Sequence, residues 1–152
     1  MLNRSPNQLA FGLACATIIT ALLSQYIGGL MPCDLCLKQR LPYYIGIPIL
    51  ALACWQGFSF RARAAQLGGL VFFASAGFGF YHAGVEYGFW QGPSACSQTI
   101  SMPETIDSLE AMLTQSVVSC NKPAFVLFGI SMAGYNFLVS MLIAGLSWRG
   151  GR

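Results

Sequence analysis

Hydrophobic and polar positions are segregated along this chain in long blocks rather than alternating residue by residue. Stretches at about residues 9–27, 41–60, 64–85 and 123–148 contain no Asp, Glu, Lys or Arg and are rich in Leu, Ile, Val, Phe, Ala and Gly. Each reaches the roughly 18 apolar residues of a candidate membrane helix, since about 20 residues rising 1.5 Å apiece cross a ~30 Å hydrocarbon core. None has the period-two alternation of a barrel strand, so helices are the expected way to satisfy the backbone in lipid. The pattern predicts an all-α fold: one domain over residues 1–152, built as a bundle of four transmembrane helices. Two loops, at about 28–40 and 87–122, emerge on one side. Pro42 and Pro48 fall early in the second run and mark its start or a kink. Gly68, Gly69, Ala74, Ala76, Gly77, Gly79, Gly129, Ala133 and Gly134 are small enough for helices to pack closely in lipid.

Composition agrees with the pattern. The 152 residues are 55% hydrophobic and only 9% charged, against about 25% charged in a soluble domain. A net charge of +3, thinly spread, excludes a nucleic-acid protein. An aromatic content of 13% excludes intrinsic disorder.

The basic residues set an orientation. Arg4, Arg61, Arg63, Arg149 and Arg152 fall on one side of the runs, which the positive-inside rule assigns to the cytoplasm. Asp34, Glu86, Glu104, Asp107 and Glu110 fall on the other, with Lys38, Arg40 and Lys122. Both ends are therefore expected inside and both loops outside. The first run is longer than the apolar core of a secretory signal and no A-x-A site follows it, so it is expected to be a retained span.

Candidate chemistry sits in the outer segments. Cys33 and Cys36 lie in the first loop and Cys96 and Cys120 in the second, where thiols can oxidise. Cys15 and Cys54 fall inside apolar runs and read as packing residues. Four outer cysteines allow three connectivities, of which the sequence-local one pairs Cys33 with Cys36 and Cys96 with Cys120. A C-x-x-C disulfide closes too small a loop to contribute much by chain entropy, which suits a redox couple, whereas the longer loop would gain about 3.5 kcal/mol.

Cys36 at the start of a helix would have its thiolate favoured by the helix dipole, with Arg40 one turn on along the same face. His82, the single histidine, falls at the outer end of the third run, at the depth of Cys36 and Arg40, and Glu86 follows one turn later. Beside Tyr81, Tyr87 and Trp90 it also reads as part of an interfacial aromatic belt. In the second loop, Ser101-Met-Pro-Glu104 resembles a capping box. Ile106, Leu109, Met112, Leu113 and Val117 then follow near helical spacing, which predicts a short amphipathic helix on the membrane surface.

Cys33-Asp-Leu-Cys36 followed by Arg40 resembles the C-x-x-C-x-x-x-R element of DsbB-type disulfide bond formation proteins. Tyr81-His-Ala-Gly-Val-Glu-Tyr-Gly-Phe-Trp90 and Leu127-Phe-Gly-Ile-Ser-Met-Ala-Gly-Tyr-Asn136 are similar to the proteobacterial branch. The resemblance covers essentially the whole chain. It implies a thiol:quinone oxidoreductase of the bacterial inner membrane, with ubiquinone or menaquinone as electron acceptor. It would reoxidise a periplasmic thioredoxin-fold thiol oxidase of the DsbA type. It further implies that Cys96 is attacked by the partner and releases Cys120, that Cys120 attacks Cys33, and that Cys36 is freed next to the quinone. Arg40 would hold the quinone and its developing charge, and His82 would lie near the ring. Gln39 departs from the acid expected before the arginine.

Two other classes compete. A four-cysteine metal centre is disfavoured because only one C-x-x-C is present. A structural or transport membrane protein would keep its periplasmic disulfides as permanent staples, but the spans carry almost no charge with which to build a conduction path.

Overall fold

The computed structural model describes residues 5–55, 59–93, 120 and 123–152. Its long helices are α1 (Pro6–Tyr26), α3 (Leu41–Cys54), α4 (Arg61–Glu86) and α5 (Met132–Gly150). Between α1 and α3 lies the short α2 (Asp34–Lys38), and before α5 a two-stranded hairpin, β1 (Val126–Leu127) with β2 (Ile130–Ser131).

Local chemistry sets the boundaries. Ser5 caps α1 through a capping box with Gln8, and Pro6 takes the first turn, where its missing N–H costs nothing. Pro42 likewise stands in the first turn of α3, while Pro48 lies within that helix. The apolar run at 123–148 does not become helix throughout. Phe128 and Gly129 both take positive φ, 50° and 80°, and turn the hairpin. Ser131 then accepts a bond from the Gly134 amide and starts α5 at residue 132. Gly129 thus serves the turn rather than a helix seam.

The helices pack as a ring in the order α1, α3, α4, α5, each touching its two neighbours most, so α1 faces α4 and α3 faces α5 across the centre. At one end Asn7, on α1, donates to Ala53 O at 3.2 Å and Gly150 O at 3.3 Å, tying α1, α3 and α5 together. Arg61, Arg63, Arg149 and Arg152 stand at this end. At the other end Arg40 reaches the last turns of α1 and Cys33 reaches the last turns of α4. The expected separation of most basic residues from the outer cysteines is thus built into the bundle's two ends.

Phe72, Leu50 and Ile143 fill the centre with Ala10, Ala14, Ile18 and Tyr43. Small residues let the helices approach: a Cβ on Gly69 would lie 3.3 Å from Ala144 O, and one on Gly79 would lie 3.0 Å from the Phe137 amide nitrogen. Gly77 faces open space instead.

Polarity runs opposite to that of a soluble protein. His82, Ser75, Asn136, Ser140 and Ser147 are buried, while Ile19, Leu67, Phe73 and Leu142 are more than half exposed. Across the centre the Tyr43 hydroxyl donates to Asn136 Oδ1 at 2.6 Å and lies 3.2 Å from Ser140 Oγ, which donates to Ser75 Oγ at 3.2 Å. Among the described residues, α1 and α4 are long and apolar enough to cross a membrane. α3, with 14 residues, is too short for that measure. The amphipathic helix expected near residues 101–117 lies outside the described residues.

Candidate redox site

Chain direction changes sharply after α1, and Pro32 leads into a tight turn whose first helical bond is made by sulfur. Cys33 is the N-cap of α2, and its Sγ accepts from the Cys36 amide at 3.3 Å. Asp34 and Lys38 sit at the favourable ends of this one-turn helix and pair at 2.7 Å. Both are exposed, so their pair adds at most about 1 kcal/mol. The capped turn therefore depends chiefly on the thiol and on the burial of Leu35.

Cys33 and Cys36 are free thiols with sulfurs 2.9 Å apart. Cys33 Sγ is the natural acceptor of that pair, because the Cys36 amide and His82 Nε2, at 3.5 Å, also face it. The hydrogen bond from the Cys36 thiol, together with these two neighbours, holds Cys33 well below the ordinary thiol range despite its burial. Donating to Cys33 and being buried push Cys36 up. The helix amide and the imidazole thus both converge on the N-cap sulfur of Cys33 rather than on Cys36. The first cause of the upward shift of Cys36 is its bond to the Cys33 thiol, which is removed when Cys33 enters a disulfide, whereas the effect of burial remains.

His82 is fully buried in the last turns of α4, so it is no interfacial belt residue. Its Nε2 lies 3.8 Å from Glu86 Oε1, one turn on, as the sequence spacing suggested. Trp90 folds back over Gly84, stacks on Tyr81 and donates to Tyr81 O at 2.8 Å. Tyr87 OH donates to Gly129 O at 2.8 Å and accepts from the Ser131 amide at 3.0 Å, fastening the hairpin to α4.

Cys120 is 1% exposed and packs with Cys33, Leu35 and Val85 in one buried cluster. It is disulfide-bonded. Cys96 lies outside the described residues. A disulfide sulfur and a free dithiol are thus brought against each other from segments far apart in sequence.

On the other side of Cys36 lies a cavity of about 420 Å³ between α1, α3 and α5, with mostly apolar walls. Cys36, Gln39, Arg40, Tyr43 and Asn136 are among the residues that line it. Arg40 donates to Gln25 Oε1 and, at 3.4 Å, to Ala21 O. Neither partner is charged, and among the described residues no carboxylate pairs with this guanidinium. His82 does not line the cavity; it stands behind Cys33. Gln39 and Asn136, which sequence reasoning did not assign to a site, are each over nine-tenths buried and carry an amide nitrogen without a partner among the described residues. Only the spacing 36, 39, 40, 43 hinted that Gln39 shares a face with Cys36.

The two sulfurs and His82 Nε2 lie within 4.8 Å of one another, the spread of a metal-ligand set. Tetrahedral zinc with Zn–S near 2.3 Å would hold two sulfurs about 3.8 Å apart, whereas these two stand 2.9 Å apart, too close for two ligands of one zinc.

Comparison with known proteins follows the same lines. The family model described as disulfide bond formation protein DsbB matches residues 3–149. A disulfide bond formation protein B of Albidiferax ferrireducens is 31% identical over 162 residues, covering 97% of this chain and 91% of that protein. An uncharacterized protein of Rickettsia prowazekii is 31% identical over 142 residues, covering 90% of this chain and 81% of that one. No solved structure matches. The chain belongs to the DsbB family of disulfide bond formation proteins.

Proposed function

We propose that this chain, a disulfide bond formation protein of the DsbB family, is a membrane thiol:quinone oxidoreductase that reoxidises a periplasmic thioredoxin-fold thiol oxidase. Its four long helices span the inner membrane, with both termini cytoplasmic and Cys33, Cys36, Cys96 and Cys120 on the periplasmic side. The observation that carries this reading is the position of the Cys33–Cys36 dithiol, between the disulfide-bonded Cys120 and the apolar cavity beside Arg40.

The cavity suits a quinone. Its apolar walls fit the ring, Cys36 supplies a sulfur in the wall, and Arg40 supplies a cation with N–H groups left over after two bonds to α1. The buried amides of Gln39 and Asn136 add donors that have no partner among the described residues. A bound quinone supplies an acceptor for two electrons and two protons.

The thiol steps are nucleophilic exchanges. The partner's reactive thiolate attacks Cys96 of a Cys96–Cys120 disulfide, forming a mixed disulfide and releasing Cys120 as thiolate. The partner's second thiol attacks that mixed disulfide, leaving the partner oxidised and both Cys96 and Cys120 reduced. Cys120 then attacks Cys33 of the oxidised C-x-x-C and releases Cys36, whose sulfur borders the cavity. Attack by Cys96 on the Cys33–Cys120 bond restores the Cys96–Cys120 disulfide and leaves Cys33 and Cys36 as a dithiol. Oxidation of that dithiol re-forms their bond, and its two electrons and two protons pass to the quinone. His82 steadies Cys33 as thiolate, and Arg40 stabilises negative charge arising in the cavity.

The test is anaerobic quinone reduction by the detergent-purified protein supplied with a reduced thioredoxin-fold dithiol oxidase, compared with Cys36→Ser. Stoichiometric reduction that vanishes in the variant supports the reading. No reduction, with both cysteine pairs unexchanged, would overturn it in favour of a structural membrane protein with permanent disulfides.

A further inference from the structure

Gln39 is only 8% exposed, and its Nε2 has no hydrogen-bond partner among the described residues. Leaving a buried amide N–H unpaired is costly, and such groups generally await a ligand or a water. The residue caps the C-terminus of α2, and Arg40 and Tyr43 continue the backbone bonding into α3. Cys36, Gln39, Arg40 and Tyr43 consequently share one face, and all four line the cavity. The terminal amide of glutamine turns about a broad torsion, so its nitrogen reaches a ligand held there.

We infer that Gln39 donates its side-chain N–H to a carbonyl oxygen of the quinone held in this cavity, beside Arg40 and one turn from Cys36. The inference rests on the quinone reading above and adds a binding residue to it. A quinone ring presents acceptors and no donors, and a neutral amide meets a carbonyl without charge. Gln39 thereby fixes the carbonyl nearest the redox sulfur, while Arg40 answers the charge that develops there.

The experiment is a titration of the oxidised full-length protein in detergent with decylubiquinone, read as Kd by equilibrium dialysis and as the infrared carbonyl stretch of ¹³C-labelled ligand. In the wild type at least one carbonyl band is expected at lower frequency than in hydrocarbon solvent. Gln39→Leu, which keeps the shape and deletes the donor, should weaken binding about tenfold and return that band towards the unbonded position. Gln39→Glu, an acceptor at neutral pH, should do the same. Wild-type binding with both variants unchanged in Kd and band position overturns the role of Gln39 and leaves the quinone reading standing. No wild-type binding overturns the quinone reading and this inference with it. Should the variants fail to fold, the Gln39 side-chain amide signals of ¹⁵N-labelled wild-type protein decide: a shift on adding decylubiquinone supports the bond, and unmoved signals in protein that binds exclude it.

Discussion

Cys33 Sγ lies 3.5 Å from His82 Nε2, although the two residues are 49 positions apart in the chain. The contact joins the cap of α2 to the last turns of α4 and places the imidazole beside the sulfur rather than in the cavity wall. It is one of three neighbours that favour the Cys33 thiolate.

Reduced protein should therefore hold one thiolate per chain at neutral pH. Folding favours deprotonated Cys33, so its contribution to the stability of the dithiol form is complete above the free-thiol pKa of about 8.5 and is lost as pH falls through the lowered value. Thiolate absorbance near 240 nm should persist well below pH 7 and disappear in Cys33→Ser. Absorbance that arises only above about pH 8 would contradict the assignment.

Capture of the partner should separate the outer cysteines. Supplied with an oxidised thioredoxin-fold oxidase, Cys120→Ala should accumulate a mixed disulfide on a non-reducing gel, its freed Cys96 thiolate attacking the partner's disulfide, whereas Cys96→Ala should form none. The reverse pattern would exchange the two roles.

Two glycines should respond oppositely to a methyl group. A Cβ on Gly46 would push into the ring of the fully buried Phe72, so Gly46→Ala should destabilise the bundle by about 1–3 kcal/mol. Gly77 has open space around its Cβ position, so Gly77→Ala should be neutral or stabilise by up to about 1 kcal/mol. Reversible unfolding in mixed detergent measures both, and equal effects would mean that the α3–α4 seam is looser than described.

Asn7 should matter more than a helix-end residue ordinarily does. Asn7→Ala removes the donor to Ala53 O and Gly150 O, at an expected cost of about 1–3 kcal/mol. The same unfolding measurement checks it, and a loss below about 0.5 kcal/mol would show that water replaces the amide.

Much of this was legible in the residues because a membrane protein separates polar and apolar positions so strongly. The uncharged runs located the long helices, the arginines sorted to one end, and Cys33-Asp-Leu-Cys36 marked the site. The hairpin before α5 was missed because apolar content alone does not distinguish helix from a tight turn, and two consecutive positive-φ residues settle that locally. The helix dipole pointed to Cys36 and left out the N-cap, where the sulfur of Cys33 itself takes the amide bond.

By itself the sequence determined the helical class, the polarity of the two ends and the place of the C-x-x-C at one of them, because these depend on composition and on spacing within a turn or two. Tertiary structure alone decided that Cys33 rather than Cys36 gathers the donors and that His82 stands behind the thiol. It also brought Cys120 into the Cys33 cluster and left Gln39 buried at the cavity with an amide nitrogen that has no partner among the described residues. Those relationships arise where helix ends meet, and a hydrogen bond there is set by ångström distances between segments that the one-dimensional pattern does not relate.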